Sequence, residues 1–129
     1  MVRQRVNQYF FRATVLASYN TRCCITGLTI RELLVASHIV PWATDHANRV
    51  NPRNGLCLNS LHDRAFDRGL IAVSKNLRVS VSPTLKAGPL ESAAKRFLLD
   101  YEDSELFPPD RFLPDPTFLE WHRSNVFQA

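Results

Sequence analysis

The chain has 129 residues, 45% of them hydrophobic and 22% charged, which suits one globular domain and leaves little room for a second. No apolar run approaches the roughly 20 residues that span a bilayer, and the polar, arginine-rich start is unlike a secretory signal, so we expect a cytoplasmic protein without a membrane segment. The net charge is +4, with basic residues in excess over 1–86 and acidic residues in excess over 87–129, which favours a polyanionic partner.

Residues 8–19 place apolar side chains at helical spacing, and this pattern predicts an amphipathic helix that ends at Asn20. The next segment is rich in β-branched residues and contains Gly27. It predicts a short strand, a turn, and a second extended segment over 33–40 that Pro41 ends.

The rest of the chain alternates turn signals with short periodic segments. It is expected to contain, in order, a polar loop at 43–55, a short strand at 56–58, a helix from Asn59 or Ser60 to Gly69, a hairpin over 70–83, a helix over 90–101, and a proline-rich irregular strap closed by a helical turn at 118–127.

Three polar residues stand at the joints of the middle block. His38 ends an extended segment, Asn54 lies in the loop before the next strand, and His62 lies in the first turn of the following helix. A β–β–α unit would bring all three to one end, so we expect them to form one site.

The motifs that contain these residues make the chain resemble the HNH endonuclease superfamily. They are Ser37-His38-Ile39-Val40-Pro41-Trp42, Asn51-Pro52-Arg53-Asn54-Gly55-Leu56-Cys57-Leu58 and Leu61-His62-Asp63-Arg64-Ala65-Phe66-Asp67-Arg68-Gly69-Leu70. Similar lead-in and closing segments extend the resemblance over nearly the whole chain. It implies an α+β fold with a ββα-metal (His-Me finger) core at about 22–82, flanking helices and a C-terminal strap at about 102–129, all in a single domain spanning 1–129.

The resemblance also implies a role for each of the three residues. His38 would be the general base that accepts a proton from water, since a neutral histidine has a pKa near 6.5. Asn54 would pin the loop that aims the base, and His62 would ligate a metal ion. Products would carry a 5′-phosphate and a 3′-hydroxyl.

One position departs from the family pattern and leaves the ligand set open. Many HNH enzymes have a metal-binding aspartate or histidine directly before the base, and this chain has Ser37. Asp67 and, less strongly, Asp63 are the candidate carboxylate ligands, although His62 and Asp67 lie about 140° apart around a helix. The expected cofactor is a divalent cation, Mg²⁺ or Mn²⁺ first, with Zn²⁺ or Ni²⁺ as alternatives.

The expected substrate is DNA, and arginines that flank the motifs are candidates for contacting its phosphates. They are Arg49, Arg53, Arg64 and Arg68; solvated surface charge explains any one of them equally well. Trp42 is expected to anchor its loop in the core, and His122 to pack against the core.

Proteins with this motif often cut DNA in restriction or defence systems, so the expected partners include a fused or separate domain that reads sequence or modification, and a second copy of the chain. Two alternatives stay open. One is a non-catalytic DNA-binding module with a degenerate metal site. Ser37 leaves this alternative open, because it stands where many HNH enzymes have a metal ligand. The other is an HNH nuclease that cuts RNA.

Overall fold

The computed structural model describes the backbone of residues 2–129 and the side chains of residues 4–129. Its helices and strands, in chain order, are α1 (Val2–Ser18), β1 (Leu34–His38), β2 (Gly55–Asn59), α2 (Ser60–Asp67), β3 (Ile71–Val73), β4 (Val79–Val81), α3 (Pro83–Lys86), α4 (Ser92–Phe97) and α5 (Pro116–Asn125). The strands form two antiparallel pairs, β1 with β2 and β3 with β4. The α+β class predicted from the sequence is confirmed.

The centre of the fold is a β–β–α unit made by β1, β2 and α2. In the register of the two strands, His38 pairs with Gly55 and Leu34 pairs with Asn59. Asn59 begins α2 as its N-cap, because its side chain accepts a hydrogen bond from the His62 amide. The helix therefore starts beside the Leu34 end of the strand pair and runs back toward the His38 end.

Helix α1 covers one side of this unit and is in close contact with β2. A side chain at Gly55 would bring a Cβ within 2.5 Å of the Val15 Cγ2 atom and 2.9 Å of the Phe11 ring. Only glycine admits so close an approach. The Asn54-Gly55 pair thus lets α1 pack directly behind the end of the strand that carries His38.

The C-terminal strap closes the other side. Gly69 ends α2 with a positive φ of 74°, and its carbonyl accepts a hydrogen bond from the Gln128 amide at 2.9 Å. His122 of α5 is buried, stacks on Phe66, and donates from Nε2 to the Phe66 carbonyl. Burial lowers the pKa of His122 to about 4, so this histidine packs against the core as a neutral group.

Most of the elements expected from the sequence are present, including the loop at 43–55 and the hairpin over 70–83. The expected strand at the Cys23–Gly27 segment is wrong: this stretch forms turns. Its backbone groups bond locally, with the Gly27 amide donating to the Cys23 carbonyl. The helix expected over 90–101 is shorter, and a 3₁₀ turn replaces its end. No helix among residues 2–129 is long and apolar enough to cross a membrane.

Candidate active site

A groove runs across the exposed face of β1, from α1 on one side to α2 on the other. It consists of two adjoining pockets of about 310 and 320 Å³. Both pockets are lined by His38, Trp42 and the middle of β1. The first is completed by residues of α1, namely Gln8, Phe11 and Arg12. The second is completed by Ser37, Pro41, Asp63 and Asp67. His38 therefore lies between an arginine on one side and two carboxylates on the other.

The contacts of His38 determine which ring nitrogen can act as a base. Its Nε2 atom lies 2.8 Å from the backbone carbonyl oxygen of Arg49. Because a carbonyl can only accept, the neutral ring carries its proton on Nε2 and leaves the Nδ1 lone pair free. The ring stacks on Phe11 at 3.9 Å and meets the edge of Trp42 at 5.5 Å. These contacts hold the imidazole in one orientation.

The surroundings of His38 also favour its neutral form. Partial burial lowers its pKa below the ordinary 6.5, and the hydrogen bond to the Arg49 carbonyl offsets part of this effect. A neutral histidine at the working pH is the form that can accept a proton.

Asn54 is fully buried and holds the segment that follows His38. Its Oδ1 atom accepts from the Val40 amide at 2.8 Å, and its Nδ2 atom donates to the carbonyls of Val40 at 3.1 Å and Asn48 at 3.3 Å. The Ile39 amide bonds the Asn54 carbonyl as well. Asn54 therefore ties the end of β1 to the loop whose Arg49 carbonyl orients the His38 ring.

Asp63 and Asp67 lie one helical turn apart on the face of α2 that borders the groove. The Ser37 hydroxyl donates a short hydrogen bond to the Asp63 carboxylate. Desolvation, followed by the negative charge of Asp63, raises the pKa of Asp67, although Arg64 and Arg68 partly offset this. The groove thus has an end where two carboxylates repel each other beside the candidate base.

His62 lies outside this arrangement, and the structure does not bring it together with His38 and Asn54. It is buried, its Nε2 donates to the Phe97 carbonyl at 2.7 Å, and its Nδ1 contacts the Asn59 side chain. Leu34, which pairs with Asn59, is four residues along β1 from His38, or about 13 Å. Both ring nitrogens are engaged on the inner side of α2, which argues against His62 as a metal ligand.

The four candidate arginines are dispersed. Arg49 stacks on Trp42 at 4.7 Å and donates to the Trp42 carbonyl, so it is already engaged beside the groove. Arg53 donates to the Leu113 carbonyl in the strap and does not line the groove. Arg64 on α2 and Arg68 directly after it are exposed, next to the two aspartates in sequence.

Two groove residues were missed as candidates. Trp42 is half-exposed and forms part of the groove wall, so its expected place in the core is wrong. Arg12 is half-buried at the α1 side of the groove. The sequence held one signal for it, the Phe11-Arg12 pair of the family-like lead-in, but no spacing argument linked α1 to β1.

The donor set of the groove fits a hard divalent cation. No cluster of three or more His, Cys, Asp or Glu side chains suited to a metal occurs among the described residues, so the protein offers the Asp63 and Asp67 carboxylates with the Ser37 hydroxyl nearby. Mg²⁺ is commonly held by one or two carboxylates, with water and substrate phosphate completing its octahedron. The pKa of Asp67 is raised first by desolvation and second by the charge of Asp63, and a cation here would relieve that second effect.

Comparison with known proteins gives a family match over the middle of the chain. Residues 23–74, somewhat less than half of the chain, match the family profile described as HNH endonuclease. This segment holds the β–β–α unit and the hairpin after it. Residues 23–74 are therefore similar to the core of HNH endonucleases, and the predicted resemblance is confirmed.

A solved structure supports the same fold. The chain is similar to a protein described as modification-dependent TagI restriction endonuclease, with a TM-score of 0.57 and 19% identity, over 90% of this chain and 37% of that one. The chain thus spans little more than a third of the length of that structural neighbour. A search of curated protein sequences finds no match.

Proposed function

We propose that this chain is a metal-dependent endonuclease that hydrolyses DNA phosphodiester bonds, with His38 as the general base. The observation that carries the proposal is the free Nδ1 of a neutral, oriented histidine in the same groove as two carboxylates. In this reaction water attacks phosphorus, His38 Nδ1 takes the proton of that water, the bond from phosphorus to the 3′ oxygen breaks, and the departing oxygen takes a proton from solvent water. The products carry a 5′-phosphate and a 3′-hydroxyl.

Asp63 and Asp67 would hold the cation, with Ser37 as a neighbouring oxygen donor. When bound, a divalent cation supplies charge stabilisation at the phosphate and at the departing oxygen. The all-oxygen set favours Mg²⁺ or Mn²⁺ over Zn²⁺ or Ni²⁺. In this proposal Asn54 and the Arg49 carbonyl position His38, because misplacing a base by about 1 Å can cost on the order of 100-fold in rate.

The biological setting is proposed from the structural neighbour. That protein is a modification-dependent restriction endonuclease and is longer than this chain. We infer that this HNH domain is likewise the cutting module of a restriction or defence protein, working with a fused or separate domain that reads sequence or modified bases. Two copies, each with one groove, would suit cleavage of both strands.

Cleavage of supercoiled plasmid, unmodified or cytosine-methylated, tests the proposal. The purified protein is assayed with EDTA and with Mg²⁺, Mn²⁺, Ni²⁺ or Zn²⁺, beside His38→Ala and the control His46→Ala, which removes an exposed loop histidine outside the groove. We expect nicking or linearisation with Mg²⁺ or Mn²⁺, lost in His38→Ala at nearly unchanged DNA affinity and kept in His46→Ala. Salt-sensitive binding without cleavage under any metal would instead identify a binding module, and cleavage confined to an RNA substrate would identify an RNA nuclease.

A further inference from the structure

The α1 side of the groove contains a positively charged side chain, that of Arg12, which has no role in the hydrolytic mechanism proposed above. Arg12 lines the groove with Gln8 and Phe11, and its Nη1 atom donates to the Leu34 carbonyl at 2.8 Å. A guanidinium has five N–H donors. The single hydrogen bond found for the Arg12 side chain among residues 4–129 therefore fixes its head while leaving most donors free.

No acidic partner neutralises this charge within the described part of the chain. The side-chain ion pairs found among residues 4–129 involve only Arg78 and Lys86, with acids in the 102–105 segment. The acids that line the groove, Asp63 and Asp67, lie in the adjoining pocket beyond His38. A guanidinium that is fixed in position and has no acidic partner can form charge-assisted, bidentate hydrogen bonds to a phosphate.

The hydrogen bond to the Leu34 carbonyl, which anchors the guanidinium, also gives the position of Arg12 along β1. Leu34 is four residues from His38 on the same strand, a separation of about 13 Å. Arg12 is thus anchored at the opposite end of β1 from His38, which suits contact with a different phosphate from the one that His38 serves. An extended nucleic-acid strand lying along β1 would bring a neighbouring phosphate to Arg12.

We propose that Arg12 is a phosphate-binding residue that contacts a backbone phosphate flanking the cleaved one, so that the strand to be cut lies along β1, from His38 toward the Leu34 end. This inference rests on the proposed function for the identity of the strand. The contact is with the backbone, so it sets the register of the strand without reading bases.

The salt dependence of DNA binding tests the contact without requiring cleavage. Affinity for a duplex oligonucleotide is measured against salt concentration in EDTA for the intact chain, Arg12→Gln, Arg12→Lys and Arg96→Gln. Arg96 is exposed on α4 and lines no part of the groove, so Arg96→Gln is the control for loss of one positive charge. Circular dichroism confirms that each variant folds.

We expect the slope of log affinity against log salt to become less negative by about 0.9 in Arg12→Gln, as for one lost phosphate contact. Arg12→Lys keeps the charge and should keep the slope, and Arg96→Gln should match the parent. An unchanged slope in Arg12→Gln, an equal change in Arg96→Gln, or a slope lost in Arg12→Lys would overturn the proposal.

A chemically modified substrate locates the contact. One phosphate at a time is replaced by a neutral methylphosphonate beside a mapped cleavage position. Replacement at the flanking phosphate should weaken binding of the intact chain but have little further effect on Arg12→Gln. If the loss of affinity from the methylphosphonate and the loss from Arg12→Gln add at every phosphate position, the assignment is contradicted. Binding is read separately from plasmid cleavage, so failure of this contact and failure of nuclease activity are distinguishable.

Discussion

At the scale of single residues, the position of one proton on His38 shapes the chemistry of the groove. The Arg49 carbonyl takes the hydrogen bond from Nε2, so Nδ1 is the nitrogen left to accept a proton. The neighbouring Asn48 carbonyl is bonded by Asn54, which is fully buried and whose side chain makes three hydrogen bonds to backbone groups. The asparagine thus acts on the base through the backbone of the loop.

The pH dependence of cleavage should report the state of His38. Burial lowers the pKa of its imidazole below 6.5, and only the neutral ring can act as a base. Activity should therefore be full above 6.5 and fall as the pH drops through the lowered value, so that the acid limb of the single-turnover rate has its midpoint below 6.5. Phe11→Leu, which exposes the stacked face of the ring, should shift this midpoint upward.

Measuring the rate against pH for both proteins, with folding monitored at each pH, separates titration of the base from acid unfolding. A midpoint at or above 6.5 in the parent chain would contradict the assignment of His38 as a partly desolvated base.

At the scale of elements, α2 presents two faces with different roles. Its outer face carries Asp63 and Asp67 to the groove, whereas its inner face buries His62 against Asn59 and the Phe97 carbonyl. Residues 63 and 67 share a face because four residues make about one turn, and residue 62 lies 100° away from 63. One helix thus separates the groove carboxylates from a structural histidine.

Metal binding should distinguish the two faces. Asp63→Asn and Asp67→Asn should each weaken Mn²⁺ affinity roughly tenfold or more, because charge in the donor set is lost. His62→Ala should leave Mn²⁺ affinity nearly unchanged but lower the free energy of unfolding by about 2 kcal/mol, because it removes a buried side chain together with its hydrogen bond to the Phe97 carbonyl. Calorimetric titration and urea unfolding measure both quantities. Loss of Mn²⁺ binding in folded His62→Ala, with both asparagine variants unaffected, would restore His62 as the ligand.

Local patterns predicted the elements better than their orientation. Asn59 and Gly69 mark both ends of α2, and Ser74 with its neighbours marks the hairpin, because capping and turn chemistry act within a few residues. The inward direction of His62 depends on the Phe97 carbonyl, 35 residues later, which no local pattern reveals. The same holds for Arg12, whose anchor at Leu34 is 22 residues away.

In the segment that starts at Cys23, the type of element itself was predicted wrongly. Its β-branched residues favoured a strand, but the backbone turns at Gly27 with φ of 81°. The Cys24 amide donates to the Cys57 carbonyl of β2, so the segment contacts the sheet at one point without pairing along it. Burial of Cys23, Cys24 and Ile25 explains the apolar composition equally well, because apolar composition alone does not separate a strand from a buried turn.

At the scale of the whole molecule, the strap stabilises the domain through contacts at the end of α2. A Cβ at Gly69 would lie 2.1 Å from the Val126 carbonyl oxygen, and the φ of 74° there is strained for any other residue. Gly69→Ala should therefore lower the free energy of unfolding by more than about 2 kcal/mol. Gly88→Ala is the matched control, since nothing lies within 4 Å of a Cβ there.

Urea unfolding of both variants measures the effect, and we expect Gly88→Ala to change stability by less than about 1 kcal/mol. Equal stabilities for the two variants would show that the strap does not dock tightly at Gly69.

The order in which the chain is synthesised gives the strap a further consequence. A ribosome releases the groove residues long before Val126 and Gln128, whose contacts with Gly69 and Ser82 complete the packing around α2. His122, which covers Phe66, also emerges late. A nascent chain that stalls before α5 would carry His38 and both aspartates without the contacts at Gly69 and Phe66, so the groove gains its full structural support only after the strap has been synthesised.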